Sequence, residues 1–411
     1  MNENQKEKFI ITVKSNTKDL YAFTKLVPTR KKKFKEAPSN PISEDKINDL
    51  AKLLHPNTQH LIINEIKDET KSTKTFKFIP DLDSNTKELA YFRAGQYLSL
   101  KVDVNGVYIT RPYSISSSPL EALKGFYEIT IKRDEQGFLT NYIWKNWKVG
   151  TKIMSSGPEG FFYHEPLRDT KNIVGIAGGS GITPFRSMAR AIIEGTMDAK
   201  LTILYGSSEQ DDIIFYDEFK DLESRYPEKI KVIHVLSCEN PTLEGCEKGF
   251  ITSDLIRKYS DIKNSTYFIC GPQIMYQFLE KEIANLNLKP KQVRREAFGE
   301  IKDLSKLEGF PKDLMEKTFK IKVQIGNLVK EIPAVSTESV LVALERAKLA
   351  PPSKCRSGEC GFCRSLLISG NIYVSPISDW RRAADKKYNF FHPCSSYPLS
   401  DLEIVVPRNP K

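Results

Sequence analysis

The chain of 411 residues lacks any apolar run approaching the roughly 18–20 residues that a membrane-spanning helix needs. Its opening, Met1-Asn2-Glu3-Asn4-Gln5-Lys6, is too polar for the core of a secretory signal. There is no internal repeat and no low-complexity tract. With 40% hydrophobic and 28% charged residues, and 22 Gly and 23 Pro spread along it, the composition excludes a disordered, collagenous or disulfide-stapled chain. A soluble cytoplasmic protein of roughly two to four domains is expected. Two quantities stand out: a net charge of +10 and an odd seven cysteines, three of them within nine residues near the C-terminus. In an intracellular chain such a cluster points to metal or redox chemistry rather than to disulfides.

The pattern divides the chain. Residues 1–58 form an extension with a short strand expected at Phe9–Val13, a basic run at Thr29–Lys35, and an amphipathic helix carrying Ile47, Leu50, Ala51 and Leu54 that is expected to dock on the domain behind it. Residues 59–168 read as many short strands, a small β-barrel or sandwich. Residues 169–299 alternate strands and helices, starting with strand Asn172–Ala177 and helix Thr183–Glu194, which predicts a parallel doubly wound sheet. Residues 300–317 are charged and without period, a linker, and residues 318–411 form a third domain with a strand pair, helix Ser339–Lys348 and the cysteine cluster.

The strongest motif is Cys355-x4-Cys360-x2-Cys363 with Cys394 beyond it, the spacing of a plant-type [2Fe–2S] centre. Four thiolates complete tetrahedral coordination at two sulfide-bridged irons, and Gly358 and Gly361 let the loop wrap so that N–H groups point at sulfur. Four cysteines also satisfy tetrahedral zinc, but zinc ribbons usually pair two CxxC units and only one is present. The second motif is the loop from Gly175 to Pro184, between a strand and a helix, where Gly178, Gly179, Gly181, Thr183 and Pro184 offer backbone N–H groups and a helix N-terminus to a pyrophosphate. It is not a G-x-G-x-x-G fingerprint. The third is Arg111-Pro112-Tyr113-Ser114-x-x-Ser117, which supplies a bidentate phosphate ligand, a stacking face and hydroxyls, followed by Gly137 and Thr140 at the start of a helical segment. Each of the last two could also be an ordinary polar turn without a ligand.

Taken in order, these motifs resemble the ferredoxin–NADP reductase superfamily, in the layout with a C-terminal plant-type ferredoxin domain seen in phthalate dioxygenase reductases, phenylacetyl-CoA epoxygenase reductases and hybrid-cluster protein reductases. The resemblance covers about residues 59–411 and adds Gly157-Pro-Glu-Gly-Phe161, Cys270-Gly271-Pro272 and Glu296-Ala-Phe298, with Ile143 standing where the family's pyrophosphate motif has Leu. It implies an antiparallel β-barrel flavin domain, an α/β nucleotide domain and an α+β β-grasp ferredoxin domain. It also implies that Arg111 meets the flavin phosphate, that Tyr113 packs on the isoalloxazine, and that Ser114 lies near N5. Cys270 and Glu296 would flank the nicotinamide, with Phe298 beside the flavin. Ser114, Cys270 and Glu296 are thus the candidate catalytic residues, and Cys238 and Cys246 fall outside every motif.

The implied activity is electron transfer from NAD(P)H through a flavin to the cluster and on to an external acceptor, the flavin converting a two-electron hydride into single electrons. NADH is favoured over NADPH because Gly206-Ser-Ser-Glu209 offers no cation to a 2′-phosphate. FAD is favoured over FMN because most of the superfamily binds it. Other readings are a stand-alone NADH:acceptor reductase acting on hybrid-cluster protein, quinone or ferric iron, and a redox sensor or scaffold without turnover. The excess charge lies at the two ends, +5 over residues 1–58 and +6 over residues 318–411. Arg381, Arg382, Lys386 and Lys387 therefore suggest docking of an acidic electron-acceptor protein near the cluster. No nucleic-acid-binding module accompanies the charge.

Overall fold

The structure, a computed structural model, describes residues 16–39, 45–84, 86–135, 137–237, 243–297, 303–376 and 379–408. The expected strand at Phe9–Val13, Cys238 and Phe298 lie outside the described residues. The chain divides into two units, Met1–Leu50 and Ala51–Lys411.

In the first unit the basic run, to which the sequence pattern assigns no element, lies in the second half of a helix, Asn16–Glu36, which continues through Pro28. Lys and Arg are good helix formers, so a run with no apolar period still propagates a helix begun upstream. The expected amphipathic helix forms at Lys46–Leu54, and none of its residues is buried.

The second unit opens with a six-stranded antiparallel sheet in the spatial order Val107–Ser114, Tyr97–Val104, Lys152–Ser155, Gln59–Thr70, Thr73–Pro80, Tyr127–Lys132. Alternation sends Leu61, Ile63, Phe76 and Phe78 inward, where the two phenylalanines meet Trp147 edge-on at 5.2 and 6.1 Å. A bridge from Ile115 to Ile129 joins the outermost strands and closes the sheet into a barrel. Helix Phe138–Asn146 covers one end.

The second sheet is parallel throughout, ordered Glu247–Lys248, Ile230–Leu236, Lys200–Ser207, Asn172–Gly178, Ser265–Gly271, Val293–Ala297. Its central strand Asn172–Gly178 is buried at every position after the first, as a strand covered by helices on both faces must be. Strand order reverses between Asn172–Gly178 and Ser265–Gly271, so the crevice at their carboxyl ends is where this topology binds ligands.

Helix Thr183–Ile193 carries two arginines that clamp this domain to the barrel. Buried Arg186 reaches Glu128 at 2.6 Å and Glu218 at 2.8 Å, and Arg190 reaches Glu121 at 2.9 Å and Glu218 at 2.7 Å. The crevice is thereby held against the barrel wall that carries Tyr113 and Ser114.

The third domain is a five-stranded mixed sheet, Leu328–Val335, Thr318–Ile325, Leu402–Val405, Ser365–Ser369, Phe390–Phe391, with helix Val340–Arg346 packed on it. This is the expected β-grasp. The segment before it is anchored, not loose: Leu304, Leu307 and Phe310 are buried against Tyr373 and Tyr397.

Candidate functional site: a nucleotide cleft joined to a four-thiol loop

The glycines of the loop after Asn172–Gly178 divide by function. A Cβ on Gly181 would lie 2.0 Å from the carbonyl oxygen of Cys270, and one on Gly178 would lie 2.6 Å from the Met275 sulfur. These two let the turn pack against the next strand. Gly179 is different: its φ is +51° and a Cβ there would meet nothing within 4 Å. The helix that follows begins at Thr183 with no side-chain cap; the Thr183 N–H donates to the Ser180 carbonyl and Pro184 has none, so at these two positions the helix start offers its dipole rather than free N–H groups. A cleft of about 760 Å³ opens here, lined by Tyr113 and Ser114 from the barrel and by the Gly178–Gly181 loop, Ser208, Cys270 and Phe250 from the sheet domain. Pro112, Thr183, Gly271 and Pro272 also face it.

Cys270 and Glu296 are paired neighbours on adjacent parallel strands, so their side chains share a face. The Ser114 hydroxyl donates to the Glu296 carboxylate at 3.4 Å, which brings the three candidate catalytic residues together from three separate motifs. Burial pushes the Glu296 carboxyl well above the usual carboxylate range, and the charge of Glu359 adds to this against the Ser114 hydrogen bond. Burial likewise pushes the Cys270 thiol up, with Glu296 adding to it. The Tyr113 hydroxyl is pushed up to about 12 by burial.

Because the folded-state pKa of Glu296 lies above its unfolded value of about 4.3, its protonated form stabilises the fold. That contribution is complete below the unfolded pKa and is lost as pH rises through the folded one. Glu296→Gln copies the neutral form, so its melting temperature relative to the wild type should climb as pH rises from about 4.3 into the alkaline range. Scanning calorimetry of both proteins across that range checks the sign.

The other predicted flavin residues are placed as follows. Gly137 caps helix Phe138–Asn146 without a side-chain cap, and a Cβ there would lie 2.7 Å from the Thr140 hydroxyl. Thr140 itself turns back to Asp134, donating to its carbonyl at 3.1 Å. Ser117 is fully buried, and its hydroxyl accepts the N–H of Glu128 at 3.0 Å, which holds the barrel closure. Arg111 donates to the carbonyl of Thr110 at 2.9 Å and stands 4.0 Å from Glu345 of the third domain.

The four cysteines converge. The sulfurs of Cys363 and Cys394 are 3.4 Å apart, and Cys355 hydrogen-bonds with both Cys360 and Cys394. Two thiolates on one tetrahedral metal with bonds of about 2.3 Å lie roughly 3.8 Å apart, so the donor set fits a cluster. The N–H groups of Cys360 and Phe362 point at the sulfurs of Cys355 and Cys360, each at 3.4 Å. Gly358 and Gly361 take φ of +83° and +69°, the left-handed turns the wrapped loop needs. Cys246 packs partly buried against the sheet domain, away from this set.

Sequence reasoning missed the residues that join the two halves of the site. Cys355 and Cys360 open into a cavity of about 990 Å³ that also receives Tyr97 and Glu159 of the barrel and Glu296 of the sheet domain. Lys354, one residue before the first cysteine, pairs with Glu159. Gly160 has φ +97°, and a Cβ there would lie 2.8 Å from the Tyr97 ring, so the Gly157–Phe161 turn presses on this junction. Buried Arg356 pairs with Glu345 at 2.6 Å, the same carboxylate that faces Arg111. A glutamate directly after the apolar run Val340–Leu344 of a helix was the available signal for that partner.

A pyridine-nucleotide crevice against a barrel wall, continued by a four-thiol loop, defines an NAD(P)H-dependent flavin and iron–sulfur oxidoreductase. Family models match in the same order: an oxidoreductase FAD-binding domain over residues 60–164, an oxidoreductase NAD-binding domain over 176–281, and a 2Fe-2S iron-sulfur cluster binding domain over 325–399. The chain belongs to the ferredoxin–NADP reductase superfamily, in the layout that ends in a plant-type ferredoxin domain. The 2Fe-2S model spans Cys355 through Cys394, which argues for an iron–sulfur site over a zinc ribbon.

Among its relatives is the ferredoxin reductase component of 3-ketosteroid-9-alpha-monooxygenase from Mycobacterium tuberculosis, 28% identical over 362 residues, 84% of this chain and 95% of that one. The glycine betaine monooxygenase reductase subunit of Chromohalobacter salexigens is 24% identical over 346 residues, 82% and 92% of the two chains. The fold is that of phthalate dioxygenase reductase, with a TM-score of 0.61 at 23% identity over 85% of this chain and 98% of that structure. No helix among the described residues is long and apolar enough to cross a membrane.

Proposed function

We propose that the chain is the reductase component of an oxygenase system, taking electrons from NADH and delivering them one at a time through FAD and its [2Fe–2S] cluster to a protein acceptor. The observation that carries this reading is the shared cavity, in which Glu296 of the hydride site and the thiols Cys355 and Cys360 of the cluster face one space. Relatives bearing the names of monooxygenase reductase components support the acceptor class.

The bound groups supply hydride acceptance and one-electron release, and the protein supplies placement. Gly179 and the uncapped start of helix Thr183–Ile193 bind the nucleotide pyrophosphate, and Cys270 and Ser114 set the nicotinamide against the barrel wall. Glu296, buried and with its carboxyl pushed well above the usual carboxylate range, accepts the Ser114 hydrogen bond beside the hydride site. Tyr113, Arg111 and the start of helix Phe138–Asn146 bind the flavin, the last through N–H groups that no side chain caps. NADH is the donor, because the loop past Ser207 offers Ser208 and Glu209 and no cation to a 2′-phosphate.

The acceptor is acidic and docks on the rim of the shared cavity. Of the basic run, Arg381 and Lys386 are both tied to Asp379, at 2.8 and 2.9 Å. Arg382 instead faces the cavity together with Arg295 and half-exposed Trp380, beside the exposed thiol of Cys360. Among the described residues neither Arg295 nor Arg382 has a carboxylate within ion-pair distance, and Arg and Trp are the residue types that anchor interfaces.

The reading is checked with two one-electron acceptors of opposite charge, basic cytochrome c and an acidic plastocyanin. Arg295→Glu/Arg382→Glu should slow reduction of plastocyanin by about tenfold at low salt and speed that of cytochrome c, both effects fading as salt rises. Unchanged rates for both acceptors would remove the docking site, while the rate at which NADH reduces the cluster reports on the reductase reading separately.

A further inference from the structure

The helix Asn16–Glu36 lies outside the residues that the three family models match, and nothing in the electron-transfer chemistry uses it. We propose that it is an interfacial anchor that binds the chain to an anionic lipid bilayer surface. The inference stands independently of the acceptor assigned above.

Every described side chain of the helix is exposed, including the large apolar residues Leu20, Phe23, Leu26, Val27 and Phe34, the last at 85%. At 3.6 residues per turn these five fall within an arc of about 120°. Asp19, in the first turn, and Arg30, one turn before Phe34, interrupt the stripe; the long stem of Arg30 can lie along apolar surface while its head stays in water. The other six cations lie around the rest of the circumference, among polar side chains and the exposed Tyr21. The helix holds seven Lys and Arg against two acidic residues, with Arg30, Lys31, Lys32, Lys33 and Lys35 gathered in its last two turns, where the negative end of the helix dipole also favours them.

Of the surfaces such a helix fits, a bilayer matches both features. Nucleic acid would engage the cations but has no use for five exposed apolar side chains on one stripe. A discrete acidic patch on a protein would meet cations gathered on one side, whereas here they occupy most of the circumference outside the stripe. A plane of anionic headgroups over hydrocarbon takes the stripe a few ångströms below its surface and the lysines at its level. A basic residue near such a surface raises partitioning about fivefold.

The test is co-sedimentation of the full-length holoprotein with vesicles of phosphatidylcholine alone or with about 30% phosphatidylglycerol, an anionic content at which polybasic helices bind. The wild type should partition at least about 30-fold more strongly onto the anionic vesicles and release in about 0.5 M salt. Lys31→Glu/Lys32→Glu/Lys33→Glu should lose about 100-fold or more of that partitioning. Phe23→Ser/Leu26→Ser, with every charge retained, should lose roughly tenfold. Both variants should keep wild-type NADH:ferricyanide activity, which shows that the reductase is intact. Equal binding to neutral and anionic vesicles, no binding to either, or full binding by either variant would overturn the proposal. So would a concentration-dependent dimer that Phe23→Ser/Leu26→Ser abolishes, since the stripe would then belong to a second copy of the chain.

Discussion

Cys394→Ala is expected to end electron delivery to one-electron protein acceptors while NADH still reduces the flavin. Cys394 is buried, sits 3.4 Å from Cys363 under Leu341, and contacts Cys355, so its thiol is shared by the whole set. Three remaining thiols leave one iron a ligand short, and cluster binding is also folding energy for the domain that holds it. The variant should therefore lose its iron and labile sulfide, and the ferredoxin domain should melt earlier than the rest. Ser114, Cys270 and Glu296 lie on the other two domains and keep their geometry, so NADH:ferricyanide activity should stay within about threefold of wild type, the span of context effects on single interactions. Iron analysis, cytochrome c reduction and ferricyanide reduction on one preparation check all three statements. Cys360→Ser removes a thiol of the same set but lies at its exposed end, so it should lower the melting temperature less, because it disturbs no buried packing.

Gly181→Ala is expected to have the second-largest effect, at the nucleotide. Its Cβ would lie 2.0 Å from the Cys270 carbonyl and 2.8 Å from the Gly271 Cα, and neither is a flexible side-chain end. The strand end bearing Cys270 must move, or the loop must lift from it. Overpacking of this kind costs about 1–3 kcal/mol, and the displaced atoms belong to the hydride site, so the KM for NADH should rise at least about tenfold and kcat should fall with it. Gly179→Ala separates this from a ligand effect. Its Cβ meets no protein atom, and only the left-handed φ of +51° opposes it, at roughly 1–2 kcal/mol. That variant should raise KM with little change in kcat. Steady-state NADH kinetics with ferricyanide, together with melting temperatures, distinguish the two glycines.

Much of this fold was legible in sequence because its elements carry their period locally. The parallel-sheet strands are near-continuous apolar runs, and barrel strands such as Thr73–Pro80 alternate, so both could be placed within a few residues. Lys152–Ser155, Val293–Ala297 and the short strands after Ser365 were not seen, since pieces of three to five residues are defined by the neighbour they pair with. The helix Asn16–Glu36 was missed because Pro28 and a block of cations hide its stripe.

The site divides along the same line. Its cysteine ligands and glycine loop follow from spacing. The Ser114–Glu296 contact spans 182 residues, and the meeting of Lys354 with Glu159 spans 195, so their pairing emerges only from tertiary structure. Family resemblance pointed to Ser114 and Glu296 singly. Nothing in spacing pointed to Lys354, Glu159 or Arg356.

The most direct test of the account is anaerobic rapid mixing of the holoprotein with NADH, following flavin absorbance and freeze-quenched electron paramagnetic resonance together. Oxidised-flavin absorbance should fall first, with the signal of a reduced [2Fe–2S] cluster rising after it in the same molecules. A flavin that stays oxidised for minutes, or one that bleaches while the cluster never acquires an electron, would contradict the account.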